Sequence, residues 1–403
     1  MSHTALFKDA LAAGEGVVRL APTWVPRVFL TPGGRLKLDP RDLYALGAHR
    51  GGIDERWFAS TNQADNGPGT PEDEGLSYID LNGRRALLKD GIETIGDEFL
   101  GGDVMREQGG WNVLCKFFDN LGPIPHHMHQ SEADAQKVGR HGKPESYYFP
   151  PQYNATENNF PYTFMGLEPG TTKADVRLCL ERWNQGDNGI LHHSRAYKLK
   201  LGTGWQIDPG ILHAPGSLVT YEPQVNSDVM AMFQSMVDGR PVPRSLLVKD
   251  VLPEYHDDLD YLVDMLDWDA NLDPCFAQHR QFFPRPVKLE SEMADAGYCE
   301  KWVSYSTSYY SAKELTVHPS RSVTITDAAA YGVIIVQGRG RIGNLQAEAP
   351  SMIRFGQMTS DEFFVTAAAA KHGPVITNLS DTEEFVMLKH FGPGNPDAKG
   401  LKK

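Results

Sequence analysis

Pro125-His126-His127-Met128-His129 is the stretch on which the rest of the chain is read. In an extended strand, side chains two residues apart face the same way, so His127 and His129 turn their imidazoles to one side and His126 to the other. Two later segments offer the residue types that complete such a pair. Gly142-Lys143-Pro144-Glu145 carries a carboxylate, and Asp208-Pro209-Gly210-Ile211-Leu212-His213-Ala214 carries a third imidazole behind the turn Gly202-Thr203-Gly204. Brought together by neighbouring strands of a barrel, His127, His129, Glu145 and His213 make an N3O donor set. Such a set suits one divalent metal, Zn2+ first with Fe, Mn or Ni as alternatives, and leaves one or two positions for substrate or water. His126 is expected to be no ligand.

Working outward, Trp111–Phe118 reads as a buried strand, and Ser146–Phe149 and Arg195–Leu201 as further strands. Two helical signals interrupt them. Thr171-Thr172-Lys173-Ala174-Asp175 resembles a capping box, with Val176, Leu180 and Trp183 on one face, and predicts a helix near 171–185. Spacings of three and four among Tyr255, Leu259, Leu262, Val263 and Leu266 predict a helix over 250–269, whose aspartates form a solvated face. From Tyr298 onward, alternation and glycine turns predict an all-β second domain. The expected division is 1–285 and 286–403, near Phe282–Leu289.

Composition bounds the function. The 403 residues hold 40% hydrophobic residues, enough for two cores. Thirty-nine basic against 52 acidic residues leave a net charge of −13, which argues against nucleic acid or an anionic membrane as partner. Four dispersed cysteines (Cys115, Cys179, Cys275, Cys299) form neither a disulfide framework nor a CxxC pair. The N-terminus lacks a signal-peptide pattern and no apolar run reaches membrane-spanning length, so a cytoplasmic protein is expected.

The HxH and PGxxH elements resemble the two cupin motifs, and their surroundings resemble type I phosphomannose isomerases (mannose-6-phosphate isomerases). The long interval between His129 and Glu145 is similar to that family's, as are Gly166-Leu167-Glu168-Pro169-Gly170-Thr171-Thr172-Lys173, the stretch Arg50–Trp57, and Ala214, Glu222 and Asn226-Ser227-Asp228 after His213. The resemblance implies a mainly β bicupin: two jelly-roll barrels with a short helical insertion, the first metal-binding and the second metal-free. It also implies a metal-dependent aldose–ketose isomerase of carbohydrate metabolism, working on a sugar or sugar phosphate through a cis-enediol. Carried over onto this chain, it gives Lys143, Glu222 and Asp228 as candidate catalytic groups.

Two positions depart from the pattern. Met232 stands where these isomerases place a pocket arginine, and a thioether cannot supply a fixed positive charge. His127 stands where they usually have glutamine, which brings the donor set closer to that of oxygen-using cupins. A dioxygenase-type oxidoreductase and a non-catalytic sugar-binding bicupin therefore remain as alternatives. Lys137, Arg140, His141 and Lys143, and Arg195, Lys198 and Lys200, are candidates for a positively charged mouth. Arg195 and Arg240 are candidates for the place left at Met232.

Overall fold

The strand Val113–Phe118 is buried at every position, as the run Val-Leu-Cys-Lys-Phe-Phe requires of a strand covered on both faces. In the computed structural model, which describes residues 3–81 and 83–402, it lies within a seven-stranded antiparallel sheet. The order of that sheet is Gln281–Phe282, Gly204–Ile207, Glu145–Tyr148, Thr220–Val225, Val113–Phe118, Ile53–Phe58 and Thr23–Pro26. A five-stranded sheet faces it, in the order Ser194–Lys198, Tyr162–Leu167, His213–Ala214, His127–Met128 and Ala231–Met232. Phe118, Tyr147, Met165, Trp205, Ile207 and Leu218 fill the space between the two. This is the first jelly-roll barrel.

The second barrel repeats the plan. Its seven-stranded sheet contains Tyr298–Ser304, Ser311–Val317, Tyr331–Gln337, Glu362–Val365 and Phe385–Phe391, and a four-stranded sheet covers it. The two large sheets pack face to face, with Phe58, Phe117 and Tyr221 against Ile334, Val386 and Leu388. Buried Arg56 binds Asp361 and Glu362 of the second barrel. The fold is thus mainly β and cupin-like, as expected.

The helical expectations are met in part. The capping box forms as read: Thr172 Oγ1 accepts from the Asp175 amide and Asp175 Oδ2 accepts from the Thr172 amide, starting the helix Lys173–Glu181. Thr172→Ala removes that cap from an exposed position and should lower stability by about 1 kcal/mol, read from the urea midpoint at unchanged slope. The single helix expected over 250–269 is instead a turn at Pro253–Tyr255 followed by the helices Leu259–Asp264 and Trp268–Asn271. Asp258 and Asp267 each cap the start of a new helix, through the amides of Tyr261 and Ala270, and so break the run that the periodicity suggested. The predicted apolar face still packs: Leu262, Val263 and Leu266 are buried with Val176 and Leu180 behind the five-stranded sheet.

The N-terminal part differs more. It contains helices His3–Ala13, Leu88–Leu100 and Gly102–Gln108, where turn-rich chain was expected. The strand Val17–Arg19 pairs with Glu362–Val365 at the edge of the second barrel's large sheet, across the expected 1–285 and 286–403 division. Phe7, Val18, Leu88 and Phe99 share a core with Phe364 and Ala367. This apolar seam covers a sheet edge, which a local reading of the N-terminus could not supply.

Candidate metal centre and its pocket

Strand register assembles the histidines. His127 lies directly opposite His213 on one neighbouring strand and opposite Met232 on the other. His129 follows just beyond the strand, on the same side as His127. One potential ligand atom from each of His127, His129 and His213 lies within 4.8 Å of those of the other two, and all three residues are buried. Their orientation is set from behind. Nδ1 of His127 donates to Pro125 O (2.7 Å), that of His129 to Val229 O (2.7 Å) and that of His213 to Ile211 O (2.9 Å). A carbonyl only accepts, so each Nδ1 carries the proton and each Nε2 keeps its lone pair.

Glu145 enters from the facing seven-stranded sheet. Its Oε2 is 3.1 Å from His129 Nε2 and its Oε1 3.2 Å from His213 Nε2, while the Tyr147 hydroxyl donates to Oε1 at 2.5 Å. Neither His213 Nε2 nor Glu145 Oε2 has an aligned hydrogen-bond partner. Lone pairs at these separations repel one another unless a cation lies among them, and buried polar atoms are seldom left without a partner. The four residues therefore fit a tetrahedral-type divalent ion with imidazoles held from the second shell. Burial, and then the neighbouring imidazoles, hold His127 well below the usual histidine range. Burial and Lys143 lower His129 to about 4, which favours the neutral, ligating ring. For Glu145, burial acts upward, but the Lys143 ammonium and His129 outweigh it and hold the carboxyl well below its ordinary value.

Lys143, Glu222 and Asp228 line the same cavity, each in a different state. Lys143 Nζ is 3.1 Å from Glu145, 3.2 Å from His129 Nε2 and 3.7 Å from Glu222. Glu222, opposite Lys116 in the sheet, is 3.4 Å from that ammonium; burial and then Glu145 push its carboxyl up to about 8. Asp228 is clasped by both terminal nitrogens of Arg27 at 3.1 Å. Burial opposes its ionisation, but Arg27 and then Lys249 hold it far below the usual carboxylate range. His126 turns away from the cavity, as expected, with both ring nitrogens buried and unpartnered.

Three cavity residues were not anticipated: Arg27, Glu55 and Lys116. Arg27 also donates to Glu55 (3.2 Å), and Lys116 is 3.2 Å from Glu55. Lys116 carries a signal in the sequence, a lysine in the middle of an apolar strand, which survives burial only beside anions. Arg27 carries none, because its chain segment is brought to the cavity by the fold alone. Neither arginine proposed for the place at Met232 arrives there. Arg195 is spent on the carbonyls of Leu167, Asn271 and Asp273, and Arg240 lies on the hairpin Met236–Pro241, away from the cavity lining. Met232 does line the cavity.

No protein-family model and no curated protein sequence matches the chain. Solved structures do. A mannose 6-phosphate isomerase from Bacillus subtilis aligns over 93% of this chain and 99% of its own, with a TM-score of 0.60 and 17% identity. A phosphomannose isomerase from Salmonella typhimurium aligns over 94% and 100%, with a TM-score of 0.59 and 13% identity. A zinc-bound mannose 6-phosphate isomerase gives 94%, 100%, 0.60 and 13%. With both barrels covered in each alignment, the chain has the cupin-type fold of the type I phosphomannose isomerases.

Proposed function

We propose that the chain is a metal-dependent aldose–ketose isomerase acting on a sugar or sugar phosphate, with His127, His129, Glu145 and His213 holding one divalent ion, Zn2+ first. The observation that supports this reading is a single one: a converging N3O donor set and proton-exchanging groups share one buried cavity. A divalent ion bound there supplies Lewis-acid polarisation of the substrate's carbonyl and hydroxyl oxygens.

The remaining work falls to the side chains. Isomerisation breaks the C2–H bond, forms a C1–H bond and moves a hydroxyl proton from O2 to O1, through a cis-enediol, with no net redox change. Glu222, poised to exchange a proton near neutral pH, is the group for the carbon-bound proton. Lys143 is placed to hydrogen-bond the reacting oxygens and to steady the negative charge that builds on them. Asp228 stays ionised against Arg27 and serves as a positioning group. The test is interconversion of mannose 6-phosphate with fructose 6-phosphate, and of mannose with fructose, by Zn2+-loaded protein and a metal-stripped control. Metal-dependent turnover of either pair is expected, and turnover of neither with metal bound refutes the reading. Glu222→Gln should lower kcat by about 10² to 10⁴ while metal content is retained, since Glu222 is not among the donors.

The third imidazole supports one rival, a dioxygenase-type oxidoreductase. Substrate-dependent oxygen uptake by the iron-loaded protein would favour it, because isomerisation consumes none.

A further inference from the structure

Every cation inside the cavity is already matched. Arg27 is held by Asp228 and Glu55, Lys116 by Glu55 and Glu222, and Lys143 by Glu145 and Glu222. All of these groups are buried. An anionic substituent placed among them would have to displace a buried carboxylate and leave it without a partner, which is strongly unfavourable. The wall beside them is apolar, formed by Phe29, Leu30, Met230 and Met232.

One residue outward the balance reverses. Arg140 Nη2, at 3.2 Å, and Lys249 Nζ, at 3.3 Å, both reach Oδ2 of Asp65. Two cations from distant parts of the chain share one carboxylate there. The adjacent Asp250 carboxylate is turned inward and accepts from the Met230 amide at 2.9 Å, and His141 is taken by Glu132. Asp65 belongs to the loop running from residue 62 to residue 74, and this loop is seated on the Arg27–Asp228 end of the cavity. The Asp65 amide donates to Asp228 Oδ2 at 3.4 Å, and Asn66 Oδ1 accepts from Arg27 at 3.0 Å. Beneath the loop the cavity measures about 40 Å³, far below the roughly 300–1,000 Å³ of a small-molecule pocket. A sugar enters only if the loop lifts, and the Asp65 ion pairs resist that.

We propose that Arg140 and Lys249 form an anion subsite at the rim of the pocket, which takes the phosphate of a phosphorylated sugar in exchange for the Asp65 carboxylate. A phosphate monoester carries more charge than a carboxylate and has three acceptor oxygens, so it serves the planar guanidinium and the ammonium together. Asp65, already partly exposed, returns to water, and the loop loses its anchor as the substrate's charged end arrives. This assignment rests on the isomerase reading above and names the substrate class for it.

The test compares wild-type, Arg140→Gln, Lys249→Gln and Asp65→Asn proteins, all Zn2+-loaded. For each, kcat/KM is measured for mannose 6-phosphate and for mannose, and inorganic phosphate binding is measured by calorimetry. Removing either cation should lower the ratio of the two kcat/KM values by about tenfold, the effect of one charge-assisted hydrogen bond, mainly through KM for the phosphate ester. Asp65→Asn should tighten phosphate binding. A subsite that merely pins the loop would move both sugars together, and that equal shift overturns the proposal. If wild type turns over mannose alone, the isomerase reading stands and the subsite falls. If neither sugar reacts, the isomerase reading falls. Phosphate binding that is lost in Arg140→Gln and Lys249→Gln then still supports the subsite, and phosphate binding that is absent or unchanged in the variants overturns it.

Discussion

His129→Ala should leave a protein that folds but does not retain metal, with Zn2+ affinity reduced by at least about a hundredfold. Second-shell partners of metal ligands alone are worth roughly ten- to a hundredfold, and this substitution removes a ligand together with its second-shell bond to Val229 O. A second effect acts in the same direction. Lys143 Nζ now divides itself among His129, Glu145 and Glu222. Without the imidazole it closes on Glu145 and neutralises the one carboxylate of the donor set. Metal content after dialysis and competition against a chromophoric chelator measure the effect. His126→Ala is the control: its ring faces away from the donors, so metal content should persist even if packing suffers. Full metal stoichiometry in His129→Ala would remove His129 from the donor set.

The largest loss of stability is expected from Arg56→Met. The guanidinium lies 2.7 and 2.9 Å from the two oxygens of Asp361 and 3.3 Å from Glu362, and packs on Trp24 and Phe58. Methionine keeps much of the volume but leaves two buried carboxylates without their cation, at a cost of about 3–5 kcal/mol. The pH dependence follows from Glu362, which burial already pushes up to about 7 against the attraction of Arg56. Loss of the arginine raises it further. A carboxyl whose folded value exceeds its unfolded value is destabilising above the unfolded value, so the deficit of the variant should grow between pH 5 and pH 8. Urea midpoints across that range measure it. Arg41→Ala, which removes a solvent-exposed partner of Asp39, should leave the midpoint where it is. A deficit in Arg56→Met that is small or independent of pH would mean that water or a rearranged side chain replaces the arginine.

Much of the site was legible because its signals are local. Alternation placed His127 and His129 on one side, and strand-turn-strand spacing placed Glu145 and His213 within reach of a returning strand. The capping box Thr172/Asp175 was legible for the same reason, since every hydrogen bond in it spans three residues. The broken helix after residue 250 was misread because aspartate serves equally as a solvated face and as a cap, and periodicity does not separate the two. Lys116 could have been suspected from its apolar neighbours.

What the sequence determined by itself was therefore the donor chemistry, the alternation of the strands and the presence of two β units. These depend on the two-residue repeat of an extended chain and on residue type alone. The tertiary structure decided which strands are neighbours, and with that everything that depends on distance between remote segments. It brought Arg27 to Asp228 across 201 residues, Arg56 to Asp361 across 305, and Arg140 and Lys249 to one oxygen of Asp65. Buried charges must find partners wherever the packed sheets supply them, and no spacing in the chain records where that is.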